Sequence, residues 1–242
     1  MGVRRQTALV TGGARRIGRA IVERLAQDGF AVVIHTSARA AAEARSLASA
    51  LTDSGAAAAV VTADLADPAA TDALVDEAAA AFGPLAALVN NAALFEPDAA
   101  TDFTVAGFDR HMAVNLRAPL ALAQRFAAQA PAQAAIVNLL DQRVLRPGPD
   151  YFTYALSKAA LWAATRTLAQ TLAPKVRVNA VAPGPVFPNA HDGEAGFAAE
   201  LAGLPLARAV PAIEIAHAVS YLLSAHSVTG QMLAVDSGQH LA

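Results

Sequence analysis

The segment Thr11-Gly12-Gly13-Ala14-Arg15-Arg16-Ile17-Gly18 joins a short apolar run near the N-terminus to a helical stretch. Glycines at such a junction let the backbone turn tightly and approach a pyrophosphate, which the free N–H groups and the dipole of the helix start favour. A plain tight turn is the alternative, and the position at the first strand-to-helix junction argues against it. The segment therefore predicts a dinucleotide site that uses Gly12, Arg15, Arg16 and Ile17.

Short runs rich in β-branched residues alternate with longer Ala-rich stretches along the rest of the chain. Strand and helix repeated in this order predict a parallel sheet with helices on both faces, and the runs show the weak polar alternation expected of strands covered on both sides. We therefore expect an α/β, Rossmann-type doubly wound fold with a seven-stranded parallel sheet. The predicted strands are Thr7–Thr11, Ala31–Thr36, Ala58–Ala63, Ala87–Asn90, Ala135–Leu140, Val176–Val181 and Met232–Val235.

The length of 242 residues and the hydrophobic content of 55% suit one large domain with a buried core. We expect a single dinucleotide-binding domain over residues 1–242. The stretch from Pro183 to Pro211 is rich in Pro and Gly and lacks clear periodicity, and long irregular segments inside compact domains are usually functional. It predicts a loop over the substrate at about 184–211.

The charges are balanced, with 18 Lys and Arg against 20 Asp and Glu and a formal net charge of -2. Because the Arg residues are scattered, we expect a small-molecule substrate, and neither nucleic acid nor a membrane as partner. Cysteine is absent, which excludes thiolate chemistry and fits a cytoplasmic location. No apolar stretch is long enough for a signal peptide or a membrane span. The six histidines form no ligand pattern, so no metal is expected.

The end of the second predicted strand, His35-Thr36-Ser37-Ala38-Arg39, lacks the acidic residue that holds the ribose hydroxyls in NAD-binding folds. Hydroxyls and a guanidinium can instead hold a 2′-phosphate through charge-assisted hydrogen bonds. The segment therefore favours NADPH, with His35, Ser37 and Arg39 as contacts. A solvated Arg39 and a strand-end His35 remain the alternative.

Two further segments at the carboxyl ends of predicted strands fit the same cofactor. The Asp-Leu pair after the third strand offers a carboxylate that can accept a hydrogen bond from an adenine amino group, and the Asn-Asn-Ala segment ends the fourth strand. Both could also be ordinary turn signals. The predicted contacts are Asp64, Leu65, Asn91 and Ala92.

Tyr154 and Lys158 lie four residues apart in a predicted helix, so their side chains share one face. A phenol has an ordinary pKa of about 10, and a nearby cation that stabilises phenolate makes it a usable acid and base near neutrality. Tyr151 lies two turns from Lys158 and lacks this pairing. We therefore predict Tyr154 and Lys158 as the catalytic pair.

This pair, the Thr-Gly turn, the Asn-Asn-Ala segment and the Pro-Gly after the sixth strand together resemble the short-chain dehydrogenase/reductase family across nearly the whole chain. In that family the Lys also binds the nicotinamide ribose, an Asn in the helix after strand four holds a proton-relay water, and the residues after strand six touch the nicotinamide. By position the resemblance gives these roles to Lys158, Asn115, Pro183 and Gly184, with Val186 close behind. A buried helix polar group is the alternative for Asn115. The resemblance also implies a homotetramer.

Two residues depart from the general family pattern. Arg16 replaces the middle glycine of the cofactor turn, and Asp141 replaces the Ser that usually follows strand five. A carboxylate cannot donate a hydrogen bond to a carbonyl unless it is protonated, so it suits a basic, nitrogen-containing substrate better. The combination resembles the pteridine reductase branch, in which the Arg faces the cofactor phosphates and the pterin, and the Asp works with the Tyr in protonating a ring nitrogen. An aromatic residue that stacks the pterin follows Asn-Asn-Ala in that branch, and Phe95 stands at that place.

The tail from Val228 to Leu241 resembles the dihydromonapterin reductases of the same branch. Ser237 stands where Gly is usual, and Ala93 stands where the parasite pteridine reductases carry Ser. These differences leave the identity of the pterin open.

The branch resemblance implies an NADPH-dependent reductase that converts a C=N bond of a dihydropterin or dihydrofolate to the tetrahydro form, with Tyr154 as proton donor. In the alternative, Asp141 is a structural carboxylate paired with Arg143 or Arg16, and Phe95 is a packing residue. The function is then that of a carbonyl or 3-oxoacyl thioester reductase. A non-catalytic NADPH-sensing protein is a third hypothesis, which the intact Tyr and Lys argue against.

Overall fold

Seven parallel strands form the sheet at the centre of the molecule. The structure is a computed structural model that describes residues 5–188 and 193–242. The strand order is β3-β2-β1-β4-β5-β6-β7, so the chain reverses its direction of travel across the sheet between β1 and β4. The strands are β1 (Thr7–Val10), β2 (Ala31–Thr36), β3 (Ala58–Thr62), β4 (Leu85–Asn90), β5 (Ala134–Leu139), β6 (Val176–Pro183) and β7 (Met232–Val235).

Eight α-helices connect these strands within the described ranges. A short π-helical segment, Ala113–Arg117, joins the fourth helix to the fifth. The helices are α1 (Arg16–Gln27), α2 (Ala41–Asp53), α3 (Pro68–Phe82), α4 (Val105–Met112), α5 (Ala118–Gln129), α6 (Phe152–Leu172), α7 (Gly193–Ala202) and α8 (Ala212–Ser224). The predicted α/β, doubly wound Rossmann-type fold with seven parallel strands is confirmed.

Helices cover both faces of the sheet, which explains why the strands lack polar alternation. One hydrophobic core packs the sheet against α1, α2 and α8, with Ile21 and Val219 fully buried in it. The second core lies on the opposite face against α3 and α5, where Leu74 and Phe126 are fully buried. Strands β1, β2, β4, β5 and β6 are buried along their whole lengths. Burial from both sides therefore gives these strands their continuous apolar sequences.

The segment 184–211 differs from the irregular loop that the sequence predicts. It contains α7, whose Ala- and Glu-rich sequence suits a helix and which buries none of its residues. The C-terminal tail holds this segment, because Gln239 Nε2 donates to Glu200 Oε1 at 2.7 Å and Leu206 N donates to the carbonyl oxygen of Ser237 at 3.1 Å. Residues 189–192 of the predicted loop lie outside the described residues. Its role over the substrate stays a prediction.

None of the helices in the described ranges is both long enough and apolar enough to cross a membrane.

Candidate active site

A large cleft opens at the carboxyl ends of the strands, beside the point where the strand order reverses. Its volume is about 1580 Å³, and the loops after β1 to β6 line it. Ligands of open α/β sheets bind at this place, because neighbouring loops there diverge to opposite faces. The predicted site residues that line the cleft are Gly12, Arg15, Arg16, Ile17, His35, Ser37, Arg39, Asp64, Leu65, Asn91, Ala92, Phe95, Asp141, Tyr154, Lys158, Pro183, Gly184 and Val186.

The cofactor turn after β1 is built around two glycines. Gly12 has a φ of +63°, and a Cβ at this position would lie 3.0 Å from the Cα of Ala92. A Cβ on Gly18 would overlap the carbonyl oxygen of Gly12. Asn91 fixes the turn, because its Nδ2 donates to the carbonyl oxygens of Thr11 at 2.8 Å and Gly12 at 3.2 Å. The turn, with no side chain filling it, fits a pyrophosphate at the start of α1.

Arg16 begins α1 in a left-handed conformation, with a φ of +50°. Glycine adopts this conformation at little cost and other residues rarely do, which fits the glycine that the family pattern has here. The guanidinium carbon of Arg16 lies 5.0 Å from the centre of the Phe187 ring. Arg16 therefore links the turn after β1 to the loop after β6. Its neighbour Arg15 forms an exposed ion pair with Glu43 of α2.

His35 braces the cofactor turn from the end of β2. Its Nδ1 accepts a hydrogen bond from Gly12 N at 3.2 Å, so its Nε2 carries the hydrogen and donates to the carbonyl oxygen of Ala63 at 3.2 Å. Burial lowers the pKa of His35 to about 4. A neutral ring with both nitrogens bonded to protein cannot bind a 2′-phosphate as we expected from the sequence. The structure gives His35 a supporting role in place of that contact.

The other predicted cofactor contacts differ in their exposure to solvent. Ser37 and Arg39 are exposed at the end of β2 and line the cleft. Asp64 uses Oδ1 to accept a hydrogen bond from Ala66 N at 2.9 Å, which is the turn role that the sequence left open, and Leu65 is buried. After β6, a Cβ on Gly184 would lie 2.6 Å from the Cα of Asp236. Gly184 is therefore required by close packing as well as by position.

Tyr154 and Asp141 meet at the centre of the cleft. Tyr154, in the first turn of α6, donates its phenolic hydrogen to Asp141 Oδ2 across 3.0 Å. The other carboxylate oxygen of Asp141 accepts from Arg143 N at 2.8 Å and starts the 3-10 turn Gln142–Val144. Asp141 thus contacts the candidate proton donor directly, and it also caps a turn through the backbone of Arg143, whereas the structural alternative paired it with an Arg side chain.

The pKa values of this pair differ from the sequence expectation. Burial raises the pKa of Tyr154 well above its ordinary value, and the neighbouring charge of Asp141 raises it further. Burial also raises the pKa of Asp141, partly opposed by the Arg143 backbone hydrogen bond and the Arg143 charge. From the sequence we expected Lys158 to bring the pKa of the Tyr154 phenol toward neutral pH. That expectation is wrong for this structure, because burial of the phenol and its contact with Asp141 both favour the protonated form.

Lys158 lies one turn further along α6, as predicted, and points to the end of β5. Its Nζ donates to the carbonyl oxygen of Leu139 at 2.7 Å and lies 5.7 Å from the centre of the Tyr154 ring. Burial lowers its pKa from 10.5 to about 8. Lys158 therefore lies beside the Tyr154 ring, and its hydrogen bond goes to the end of β5.

Asn115 is the predicted site residue that does not line the cleft. It is buried in the π-helical segment, where its Oδ1 accepts from Leu94 N at 2.8 Å. Its Nδ2 donates to the carbonyl oxygen of Leu94 at 2.9 Å and to Ser157 Oγ at 3.0 Å. The amide is thus bound within the protein and joins the loop after β4 to α6. This is the buried polar role that the sequence left open, and π-helical segments are frequent at functional sites.

Sequence reasoning missed Tyr151 as part of the site. The rings of Phe95 and Tyr151 stack with centres 4.1 Å apart and an interplanar angle of 6°, and Arg143 lies 5.2 Å from the Tyr151 ring centre. Phe95 also meets Tyr154 edge-on at 4.7 Å. Tyr151 has a φ of +58°, a conformation that no local sequence pattern signals for tyrosine. One face of Phe95, predicted to stack a substrate, is therefore covered by a second ring.

Gln142 was also missed, although it follows Asp141 directly. It is buried against the cleft, and its Oε1 has no hydrogen-bond partner in the described part of the chain.

As for metals, residues 5–188 and 193–242 contain no cluster of three or more His, Cys, Asp or Glu side chains placed to hold an ion. His191 lies outside those ranges.

Known proteins resemble the chain over nearly its full length. The family model described as enoyl-(acyl carrier protein) reductase matches residues 12–240. FolM alternative dihydrofolate reductase 1 from Brucella canis, solved in complex with NADP, is 47% identical with a TM-score of 0.95, and the match covers 99% of this chain and 96% of that one. Cis-4-hydroxycyclohexanecarboxylate dehydrogenase from Sinomonas cyclohexanicum is 37% identical, with 96% of each chain covered. The 3-oxoacyl-(acyl-carrier-protein) reductase FabG from Staphylococcus aureus is 30% identical, with 98% of each chain covered.

These matches and the Tyr154–Lys158 geometry show the class of protein. The chain belongs to the short-chain dehydrogenase/reductase family, as its motifs predict, and it is an oxidoreductase. The hypothesis of a non-catalytic sensor is therefore set aside. Relatives that act on different substrates share the fold, so the substrate must be argued from the site.

Proposed function

We propose that this oxidoreductase uses NADPH to reduce a C=N bond of a dihydropterin, or of a dihydrofolate, to the tetrahydro form. The observation that carries the proposal is the hydrogen bond of 3.0 Å from the Tyr154 phenol to Asp141. A carbonyl reductase needs donors that point at a substrate oxygen, whereas here a carboxyl group occupies the place of the second donor. A ring nitrogen can take up a proton from such an acid pair.

NADP(H) fits the open turn at Gly12 and Gly18 and the exposed Ser37 and Arg39 at the end of β2. A guanidinium and a hydroxyl without a neighbouring carboxylate favour the 2′-phosphate of NADP over the free ribose of NAD. The Brucella canis structure, which carries NADP, supports this cofactor. When bound, NADPH supplies the hydride for the reduction.

The protein's own residues supply the proton. Because the pKa values of both Tyr154 and Asp141 are raised by burial, the pair holds protons at neutral pH more readily than the free side chains do. Tyr154 gives its proton to the substrate nitrogen and becomes a phenolate, which takes up a proton from solvent after the transfer, and Asp141 stabilises the donor geometry through its hydrogen bond with the phenol. The Lys158 charge stabilises the phenolate that forms during the transfer. Asn115 holds the loop after β4 and α6 together behind these groups.

Phe95, Arg16 and Asp141 form the substrate side of the cleft in this proposal. The flat pterin ring stacks on the free face of Phe95. Tyr151 stacks on the opposite face of Phe95, with the centres of the two side-chain rings 4.1 Å apart. Arg16, held by Phe187, lies between the cofactor turn and the loop after β6. The described parts of the substrate segment, residues 184–188 and 193–211, close over the substrate.

A carbonyl or 3-oxoacyl thioester reductase is the second candidate. The similarity to the Staphylococcus aureus 3-oxoacyl reductase favours it, because that enzyme is 30% identical with 98% of each chain covered. In this second candidate, Asp141 has only a structural role, in which its carboxylate accepts from Arg143 N and caps the turn.

The experiment follows NADPH oxidation with dihydromonapterin, dihydrobiopterin and dihydrofolate beside a panel of ketones, for the wild type and Asp141→Ser. We expect pterin turnover in the wild type and its loss in the variant. Turnover of ketones alone, unchanged or improved by Asp141→Ser, would establish the second candidate.

We further propose that the enzyme is a cytoplasmic homotetramer. The edge strand β7 leaves Leu233 40% exposed, and α8 leaves Tyr221 55% exposed, so this edge offers apolar surface for another copy. Light scattering on the purified protein tests the tetramer, and a monomeric mass would refute it.

A further inference from the structure

Phe95, Tyr151 and Tyr154 form an aromatic wall of the cleft, and a buried histidine that the proposed function does not use lies behind this wall. His111, in α4, is 1% exposed, and its ring meets Tyr154 at an angle with centres 6.3 Å apart. Its Nε2 accepts a hydrogen bond from Glu96 N at 3.3 Å. Since a backbone N–H can only donate, the ring is neutral and its hydrogen is on Nδ1.

The hydrogen on Nδ1 starts a directed chain of hydrogen bonds. Nδ1 donates to Thr153 Oγ1 at 2.8 Å, and Thr153 Oγ1 then donates to Asp98 Oδ2 in a short hydrogen bond. Asp98 Oδ1 accepts from Thr153 N at 3.0 Å, and the Asp98 carbonyl oxygen accepts from Phe152 N at 3.2 Å. Every polar atom in this chain has a partner of the right kind, so the chain fixes one arrangement of its members.

The chain joins the two segments that build the aromatic wall. Glu96 and Asp98 belong to the loop that carries Phe95, and Thr153 lies between Tyr151 and Tyr154 in α6. The loop is held at Leu94 by Asn115, at Glu96 by His111 and at Asp98 by the start of α6. Phe95 projects from the middle of these three attachments.

We propose that His111 is a positioning residue for substrate binding, which acts by holding Phe95 stacked on Tyr151 and edge-on to Tyr154. The choice of substrate for testing it rests on the proposed function. Burial lowers the pKa of His111, in keeping with the neutral ring that the hydrogen bonds require.

The test is a double-mutant cycle between His111→Leu and Phe95→Ala, with dihydropterin as substrate. His111→Leu is expected to raise KM by about 5- to 20-fold, in line with coupling energies of residues in one network, while the dissociation constant of NADPH stays within twofold. In the Phe95→Ala background His111→Leu should change KM by less than about twofold, because the ring that it positions is gone. His111→Gln, which keeps an acceptor and a donor, should recover part of the loss.

Asn179 offers a matched control, since it is fully buried and also holds a loop backbone, with Oδ1 accepting from Gln231 N at 3.0 Å. Asn179→Leu should lower the thermal midpoint without raising KM. Equal rises in KM from His111→Leu with and without Phe95, or no rise at all, would overturn the proposal. If the wild type reduces ketones but no dihydropterin, the proposed function fails, and the same cycle with the ketone still decides the role of His111.

Discussion

The Tyr154 phenol donates to Asp141 across 3.0 Å, so the group expected to release a proton is bonded to a group that disfavours its ionisation. Burial and the charge of Asp141 both raise the pKa of Tyr154. The Tyr154 phenol therefore stays protonated in the cleft, whereas a Tyr beside a Lys alone would favour phenolate. This difference from the usual Ser arrangement can be measured on the protein itself.

Asp141→Asn should lower the pKa of Tyr154 toward its ordinary value, because the substitution removes the charge and keeps the shape. Burial remains, so we expect a partial fall. The measurement is a titration of phenolate absorbance, taken as the difference between Asp141→Asn and the double variant Asp141→Asn with Tyr154→Phe. The same difference between the wild type and Tyr154→Phe serves as reference. Equal titration of Tyr154 in both backgrounds would show that Asp141 does not control it.

Lys158 should make stability rise with pH above neutrality. Its pKa falls from 10.5 in the unfolded chain to about 8 in the folded protein, so between these values the unfolded state binds more protons and the free energy of unfolding increases with pH. From pH 8 to pH 10 the gain from this residue is about 2 kcal/mol. Urea unfolding of the wild type and Lys158→Met at both pH values measures it as the difference between their slopes. A parallel pH dependence in the two proteins would contradict the lowered pKa.

The sequence could predict the cleft because parallel strands bring their carboxyl ends to one edge. The turn at Gly12, the Asn91 segment and Tyr154 follow separate strands and meet there for that reason alone. The sequence also showed where this chain departs from glycines of the family pattern. Arg16 and Ser237 stand at two such positions, and both adopt left-handed conformations, with φ of +50° and +54°. Those backbones confirm that the chain keeps the glycine geometry with other residues in place.

The place of Tyr151 in the aromatic wall and the support of that wall could not be predicted. Tyr151 stacks on Phe95 from 56 positions away only because α6 begins beside the loop after β4, a contact set by tertiary packing. His111 lies 42 positions from Thr153, and Asn115 lies 42 positions from Ser157. Period and propensity report local structure, and they carry no signal for hydrogen bonds between such distant segments. The prediction for His35 failed for the same reason, since its two partners, Gly12 and Ala63, lie just after other strands.

Gln142→Met should stabilise the free enzyme. Its Oε1 is buried without a partner in the described residues, and an unsatisfied buried acceptor costs about 1 to 3 kcal/mol, which an apolar side chain of similar length avoids. At about 2 to 4 °C per kcal/mol for a chain of this size, we expect the thermal midpoint to rise by about 2 to 12 °C. Scanning calorimetry of the cofactor-free protein checks this, with exposed Gln124→Met in α5 as the control for a general effect of methionine. A lower midpoint for Gln142→Met would mean that the amide contributes favourable contacts.

Arg39→Ala tests the cofactor end of the cleft. Arg39 is exposed beside Ser37 at the end of β2, where a 2′-phosphate would form charge-assisted hydrogen bonds with it. Because NADH lacks that phosphate, the substitution should lower kcat/KM for NADPH by about 10- to 100-fold and leave kcat/KM for NADH within about twofold. Arg45→Ala, on the exposed side of α2 and outside the residues that line the cleft, controls for the loss of one positive charge. If both variants reduce NADPH use equally, the effect is a long-range one of net charge, whereas a loss confined to Arg39→Ala places the phosphate beside that side chain and explains why no acidic residue ends β2.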